Sequence, residues 1–271
     1  MIILNIFSYM QKMIIREANT LDKIPVLKFC KNTFSWGDYV EQVWDFWLSE
    51  GHLFLGEKQS PVGICHAFYS ENQIWIEGIR IDSRFRRQKI ASDLVKHAET
   101  VGKEKNALLS YMLIDTENSA SLLLANSLNY RILQTWNFYS LDPKINPNHN
   151  VYFEKSLNRQ FYSHYVKSWR WLPIDDDTLL SFYEQNSIVK SSVGDKNSLA
   201  IFIASDHFDK TLIVTLFSNS DDSTLQILSF LQNYAMDNNY ERIQILTKEK
   251  LPTFDSLEYK ISFNLMKKFL V

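Results

Sequence analysis

The spacing of apolar residues changes period within one short stretch, and that change restricts the chain to folds that lay helices against a sheet. Residues Gln73 to Ile81 (Gln-Ile-Trp-Ile-Glu-Gly-Ile-Arg-Ile) read as a strand. From Ile90 onward, Leu94, Val95, Ala98 and Val101 recur at helical spacing. Between them Asp82-Ser83-Arg84-Phe85-Arg86-Arg87-Gln88-Lys89 is polar and basic. The segment is therefore a strand, a basic loop and an amphipathic helix in immediate succession, the local unit of an α/β chain.

The flanking sequence repeats the alternation. Residues 13 to 17 predict a strand, and 20 to 32 a helix behind a Thr20 cap, with Leu21, Ile24, Val26 and Leu27 grouped at helical spacing. A second helix over 40 to 49 carries Val40, Val43, Trp44 and Trp47 along one side, with Gly51 as its stop. Leu53 to Glu57, Gly63 to Tyr69 and Gln73 to Ile81 predict an antiparallel meander with turns at Gln59-Ser60-Pro61 and Ser70-Glu71-Asn72. A strand over 107 to 113, a helix over 118 to 127 and a strand over 131 to 140 follow. The second half offers strands at 198 to 205 and 211 to 218, a helix near 223 to 237 and a strand at 242 to 247.

Ser127-Leu128-Asn129-Tyr130-Arg131-Ile132 recurs as Ser256-Leu257-Glu258-Tyr259-Lys260-Ile261, each time downstream of a strand, helix and strand, which suggests a diverged tandem duplication. A length of 271 residues also exceeds one ordinary hydrophobic core and favours two domains. The Pro/Asn-rich stretch within 142–150 reads as the linker between a first domain at 13–141 and a second at 151–271. Residues 1–12 read as an N-terminal extension, with Met1 and Met13 both candidate starts; they lack the basic n-region and cleavage site of a secretory signal.

Charge and composition exclude several classes of function. With 29 basic against 31 acidic residues and no dense Lys/Arg run, the counterion-release contribution to nucleic-acid binding is weak. No apolar run is long enough to span a bilayer, so no membrane partner is expected and the cytoplasm is the default location. Cys30 and Cys65 have no CxxC spacing, and the six histidines are scattered singly, so no metal site is expected. His66 in particular has no visible partner and reads as structural.

A basic loop opening a helix is suited to hold a pyrophosphate, because the first N–H groups of the helix are unpaired and the dipole adds to them. Arg86 to Ala91 would supply those groups; the same pattern also fits a plain solvated surface. Ile81 to Leu94 resembles the acetyl-CoA signature of the GNAT superfamily, a strand running through Arg/Gln-x-x-Gly-x-Gly/Ala into a helix, with Arg86 and Ala91 at its first and last positions. Asn118-x-x-Ser121-x-x-Leu124 followed by Asn129-Tyr130 resembles a second element of that family. Together they cover about residues 13 to 140.

The resemblance implies a GNAT acyltransferase fold, α/β with an α+β mixed sheet, in tandem with an incomplete second copy. It implies acetyl-CoA as co-substrate, held by Arg86, Arg87, Gln88, Lys89, Ile90, Ala91, Asn118 and Ser121, with backbone N–H groups at Ile79 to Ile81 polarising the thioester. It implies direct attack by an amine, with Glu77 as catalytic base; a strand Glu paired with Arg80 or turned to solvent fits equally. Trp36, Asp38 and Tyr39 fall where the family forms its acceptor pocket, whereas Trp44 and Trp47 have the spacing of a core face. Lys89 stands in place of a glycine, which obstructs phosphate approach if the backbone needs φ > 0, and Ala125 in place of the tyrosine that protonates the leaving thiolate. The loop before the second-half helix, Leu216 to Asp222, is acidic where a phosphate site would be basic, so residues 151–271 read as a degenerate copy. Three functions remain open: N-acetylation of a small-molecule amine, acetylation of a protein N-terminus or lysine, and a non-catalytic acyl-CoA-sensing or interaction module. The oligomeric state is not legible.

Overall fold

The computed structural model describes residues 12–31, 33, 37–147 and 149–270. They form two compact units that interleave along the chain, the first from the described residues up to 112 with 124–130 and 267–270, the second from those in 113–123 and 131–266.

The first unit opens with β1 (Ile14–Glu17), α1 (Lys23–Cys30) and α2 (Val40–Glu50), then the meander β2 (Leu53–Glu57), β3 (Pro61–Ser70) and β4 (Gln73–Ile81). Helix α3 (Ile90–Glu104) crosses to β5 (Leu109–Asp115), which is parallel to β4. Strand order is β1-β2-β3-β4-β5. Asn19 rather than Thr20 caps the first helical turn: its side chain accepts from Leu21 N–H, and Asp22 closes the reciprocal half of a capping box. Of the apolar group predicted for this helix, Val26 is buried, but Leu21 and Ile24 are 85% and 82% exposed. The helix turns its Val26 and Cys30 edge inward instead. All four predicted core residues of α2, Val40, Val43, Trp44 and Trp47, are buried, beside Leu53, Leu55 and Ile64.

Helix α4 (Ser119–Ser127) leads to β6 (Arg131–Leu141). The second unit then continues through β7 (Tyr152–Phe153), the hairpin β8 (His164–Lys167) and β9 (Arg170–Pro173), α5 (Asp176–Glu184), β10 (Ile188–Val193), β11 (Lys196–Ala204), β12 (Thr211–Phe217), α6 (Asp221–Asp237), β13 (Arg242–Thr247) and β14 (Leu257–Phe269). Strand order is β14-β6-β13-β12-β11-β10-β7. Its core lies between α6 and this sheet, with Ile227, Leu228 and Leu231 against Val214, Leu216 and Ile245. Both units thus follow an antiparallel meander with a helical crossover to a parallel strand.

A division at 142–150 does not describe these units. Strand β6 pairs with β13 along Asn137 to Leu141, which places it in the second unit, and at the chain's end the Leu270 N–H bonds to the Leu108 carbonyl within the first. The 142–150 stretch is hydrogen-bonded along α6, with Asn146 N–H donating to Asn233, Asn150 N–H to Gln226 and Gln232 to the Asp142 carbonyl. The repeated hexapeptide marks the starts of β6 and β14, which are neighbours in the sheet.

Candidate active site

Strand β4 leaves its parallel neighbour early. It pairs with β5 at Gln73–Leu109, Ile74–Ser110 and Trp75–Tyr111 only, yet runs on to Ile81. On its other edge His66 faces Glu77 and Ile64 faces Arg80, so Gly78 and Ile79 together stand opposite Cys65. This is a β-bulge, which bends the strand and re-aims its backbone groups. Gly78 sits at φ +63°, and a Cβ there would lie 2.2 Å from Cη2 of Trp47. Both its dihedral and the close approach of the indole require glycine. Ile79 and Ile81, expected to turn backbone N–H groups toward a thioester, lie on the stretch of β4 beyond the last β5 pair, both half-buried.

The basic loop leaves this strand at Asp82, whose buried carboxylate accepts from the Arg84 N–H and side chain and is held below the usual carboxylate range chiefly by that side-chain bond. Arg86, Arg87, Gln88 and Lys89 are all exposed. Arg87 and Lys89 both take positive φ, +63° and +62°. Lys89 therefore occupies the left-handed conformation that the resemblance assigns to glycine, and it is the N-cap of α3 with no side-chain hydrogen bond to the helix. With no N-cap side chain bonded to them, the first N–H groups of α3 and the helix dipole suit an anion. Helix α3 is drawn close to the sheet because Ile90 is 3% exposed and its Cγ2 would lie 3.2 Å from a Cβ at Gly63. Ala91 is half-buried in the first turn. Lys58 extends the positive rim, donating to Gln88 at 2.9 Å.

Glu77 pairs across the sheet with His66. Its carboxylate accepts from Nδ1 of His66 at 2.9 Å, across the β3–β4 pair, and its side chain is 21% exposed. His66 is fully buried, stacked on Trp47 at 4.9 Å between centroids, with Glu50 Oε2 3.7 Å from its Nε2. Glu50, His66 and Glu77 are the described group of three such side chains whose ligand-type atoms lie within 4.8 Å of one another. Within it, His66 and Glu77 are joined by the hydrogen bond. His66, solitary in the sequence, has a partner because the strand register places it directly opposite Glu77.

Arg80 binds Asp38 through two hydrogen bonds, 2.6 and 3.1 Å, with both side chains buried. Asp38 thus anchors its loop to β4 beside the bulge. Tyr39 lies with its ring 5.2 Å beneath the Arg80 guanidinium and edge-on to Trp47; burial above all pushes its phenol pKa upward. Trp36 lies outside the described residues.

Asn118 and Ser121 belong to the second unit. The Asn118 side chain accepts from the Ser121 N–H at 3.1 Å and caps α4. Ala125 is fully buried. Tyr130 is also buried: its hydroxyl joins Ser110 at 2.5 Å and Glu99 at 2.8 Å, and Lys268 binds the other Glu99 oxygen at 2.6 Å. Burial pushes the Tyr130 phenol far up, so this hydroxyl keeps its proton.

The second unit's crossover lacks these features. Strands β12 and β13 stay paired over all of Thr211–Arg242 to Leu216–Thr247. The start of α6 is capped by Ser220, which accepts from the Ser223 N–H, and carries Asp221 and Asp222 in its first turn. Ser198 accepts from the Asn219 N–H. Both the strand gap and the uncapped basic helix start are confined to the first unit's crossover.

Residues 21–130 match the acetyltransferase (GNAT) family model. The fold resembles a GCN5-related N-acetyltransferase from Sphaerobacter thermophilus at 11% identity and TM-score 0.67, over 95% of this chain and 96% of that one. It also resembles a Thermoplasma acidophilum protein at 12% identity and TM-score 0.62, over 94% and 99% of the two chains. A third likeness is a GCN5-related N-acetyltransferase from Anabaena variabilis, at 11% identity and TM-score 0.52, over 96% and 73%. No curated protein matches the chain in sequence. Among the described residues, no helix is long and apolar enough to cross a membrane.

Proposed function

Because the chain carries a GNAT acetyltransferase-family domain over residues 21–130, we propose that it transfers an acetyl group from acetyl-CoA to a small-molecule amine. The observation that carries this reading is the bulge at Gly78 and Ile79 on a strand that has parted from β5, followed directly by an uncapped, basic helix start.

In this reading the backbone N–H groups from Arg86 to Ala91 receive the pyrophosphate, and the Arg86, Arg87 and Lys89 charges surround it. The bulge offers an N–H at Ile79 to the thioester carbonyl, stabilising the charge that develops on its oxygen. Glu77 takes the proton of the attacking amine. The nitrogen attacks the carbonyl carbon, the C–S bond breaks, and the CoA thiolate departs. A partly exposed carboxylate beside aromatic rings suits a small cationic amine.

Ala125 favours a second reading, acyl-CoA binding without turnover, because it removes the family's thiolate acid. One experiment separates the two. Acetyl-CoA is titrated by calorimetry into the wild-type protein and a Lys89→Glu variant, and thiol release is followed with tyramine, spermidine, glucosamine and a lysine peptide. Binding weakened at least about tenfold in the variant, with release on tyramine, spermidine or glucosamine, supports the enzyme. Binding without release on any of the four supports the sensor, release on the peptide alone supports the protein acetyltransferase, and absence of binding refutes the proposal.

A further inference from the structure

Fully buried histidines are usually satisfied at both ring nitrogens, yet only Nδ1 of His66 is hydrogen-bonded. Its partner is the carboxylate of Glu77 at 2.9 Å, while Nε2 makes no hydrogen bond and faces Glu50 at 3.7 Å. An ionised carboxylate only accepts, so Nδ1 must carry the hydrogen. The ring is fixed on its flat side as well: Trp47 stacks on it with planes 10° apart, and the same indole fills the space left by Gly78 in the bulge. One tryptophan therefore ties the histidine that holds Glu77 to the strand irregularity two positions from Arg80.

We propose that His66 is a positioning residue for the transfer reaction. Its Nδ1–H holds the Glu77 carboxylate in one rotamer, and Trp47 couples that rotamer to the Gly78–Ile79 bulge, so that base and thioester-polarising N–H keep a fixed mutual geometry. The inference rests on the reading of Glu77 as base. A side chain such as Glu loses substantial rotamer freedom when held, and a hydrogen bond made by a buried ring supplies that restraint before substrate arrives, which is where orientation gains its rate. A half-turn of the ring about Cβ–Cγ would put Cδ2 where Nδ1 stands and break the His66–Glu77 hydrogen bond, so that bond itself selects the ring's orientation.

The test uses the different reach of two amides. Asn places its N–H2 close to where Nδ1 stands, and Gln places it close to Nε2. Both substitutions remove the stack on Trp47, so damage that is only structural falls on both alike. With acetyl-CoA and the most rapidly acetylated amine among tyramine, spermidine and glucosamine, His66→Asn is expected to keep kcat within about threefold. His66→Gln is expected to lower it about 10- to 100-fold, the usual range for removing an orienting partner, with the KM for acetyl-CoA unchanged in both. Equal kcat losses in the two variants would overturn the proposal. So would loss of activity in EDTA restored by Zn2+, which would assign Glu50, His66 and Glu77 to a metal.

The hydrogen bond is also read without turnover. In wild-type protein labelled with nitrogen-15 at histidine, the ring in contact with Trp47 is expected to show a proton on Nδ1; a bare Nδ1 overturns the inference whether or not either variant folds. If no amine is acetylated, the proposed function fails, and this spectrum still decides the arrangement.

Discussion

Replacing Gly78 by alanine tests the central geometric claim, that the bulge and the Trp47 indole occupy one another's space. Two costs add. At φ +63° an L-residue is disfavoured by about 1–2 kcal/mol relative to glycine. The new methyl would stand 2.2 Å from Cη2 and 2.6 Å from Cζ3 of Trp47, which is 1% exposed and has no open side to retreat to. Overpacking of this kind costs about 1–3 kcal/mol. The sum is about 2–5 kcal/mol, and at about 2–4 °C per kcal/mol for a chain of this size the melting temperature should fall by at least about 4 °C. Gly194 provides the control, since it has φ +61° with nothing within 4 Å of an added Cβ. Gly194→Ala bears the backbone cost without the collision. Calorimetric melting of the two variants and the wild type measures the difference. A Gly78→Ala protein that melts within about 2 °C of the wild type, or together with Gly194→Ala, would refute the argument that the indole fills the bulge.

Other consequences are open to direct measurement. Lys89→Gly removes a left-handed lysine and should raise stability by up to about 1 kcal/mol, whereas Lys89→Val should lower it; urea unfolding of both decides. Asp38→Asn removes the negative charge and one acceptor from the buried Arg80 pair and should destabilise by about 3 kcal/mol, and a loss under about 1 kcal/mol in urea would show that the pair carries little. The side-chain hydrogen bonds from Arg16 hold Asp22 below its ordinary 3.8. Its contribution is present at neutral pH and is lost as pH falls below about 4 through the depressed folded value; the acid limb of a stability profile should therefore flatten in Asp22→Asn. Burial pushes the Cys30 thiol up to about 12 and the Cys65 thiol higher still, so a thiol-reactive disulfide reagent at pH 8 should label neither until the protein unfolds.

The sequence by itself determined the elements that local periodicity encodes. The meander from Leu53 to Ile81, the core face of α2 and the start of α3 at Ile90 all follow from apolar spacing and turn residues acting within a few positions of each other. The basic loop was legible for the same reason; the place of Lys89 in a glycine's position was implied by the resemblance to the GNAT signature, and the backbone there adopts positive φ. Shorter elements such as β7 to β9 carry too few residues for a period to emerge. The partners of the polar side chains were decided only by tertiary structure. Glu77 found His66 because the hairpin register that runs from Ser70–Gln73 sets them opposite each other, and Arg80 found Asp38 beyond the two-for-one bulge at Gly78, where the register shifts and the Trp47 indole, from a helix about thirty residues upstream, lies against the strand. The division of the chain into units was likewise invisible to local pattern. Strand β6 and the last residues of the chain take their places through hydrogen bonds to segments more than a hundred residues away, and no local period records such a partner.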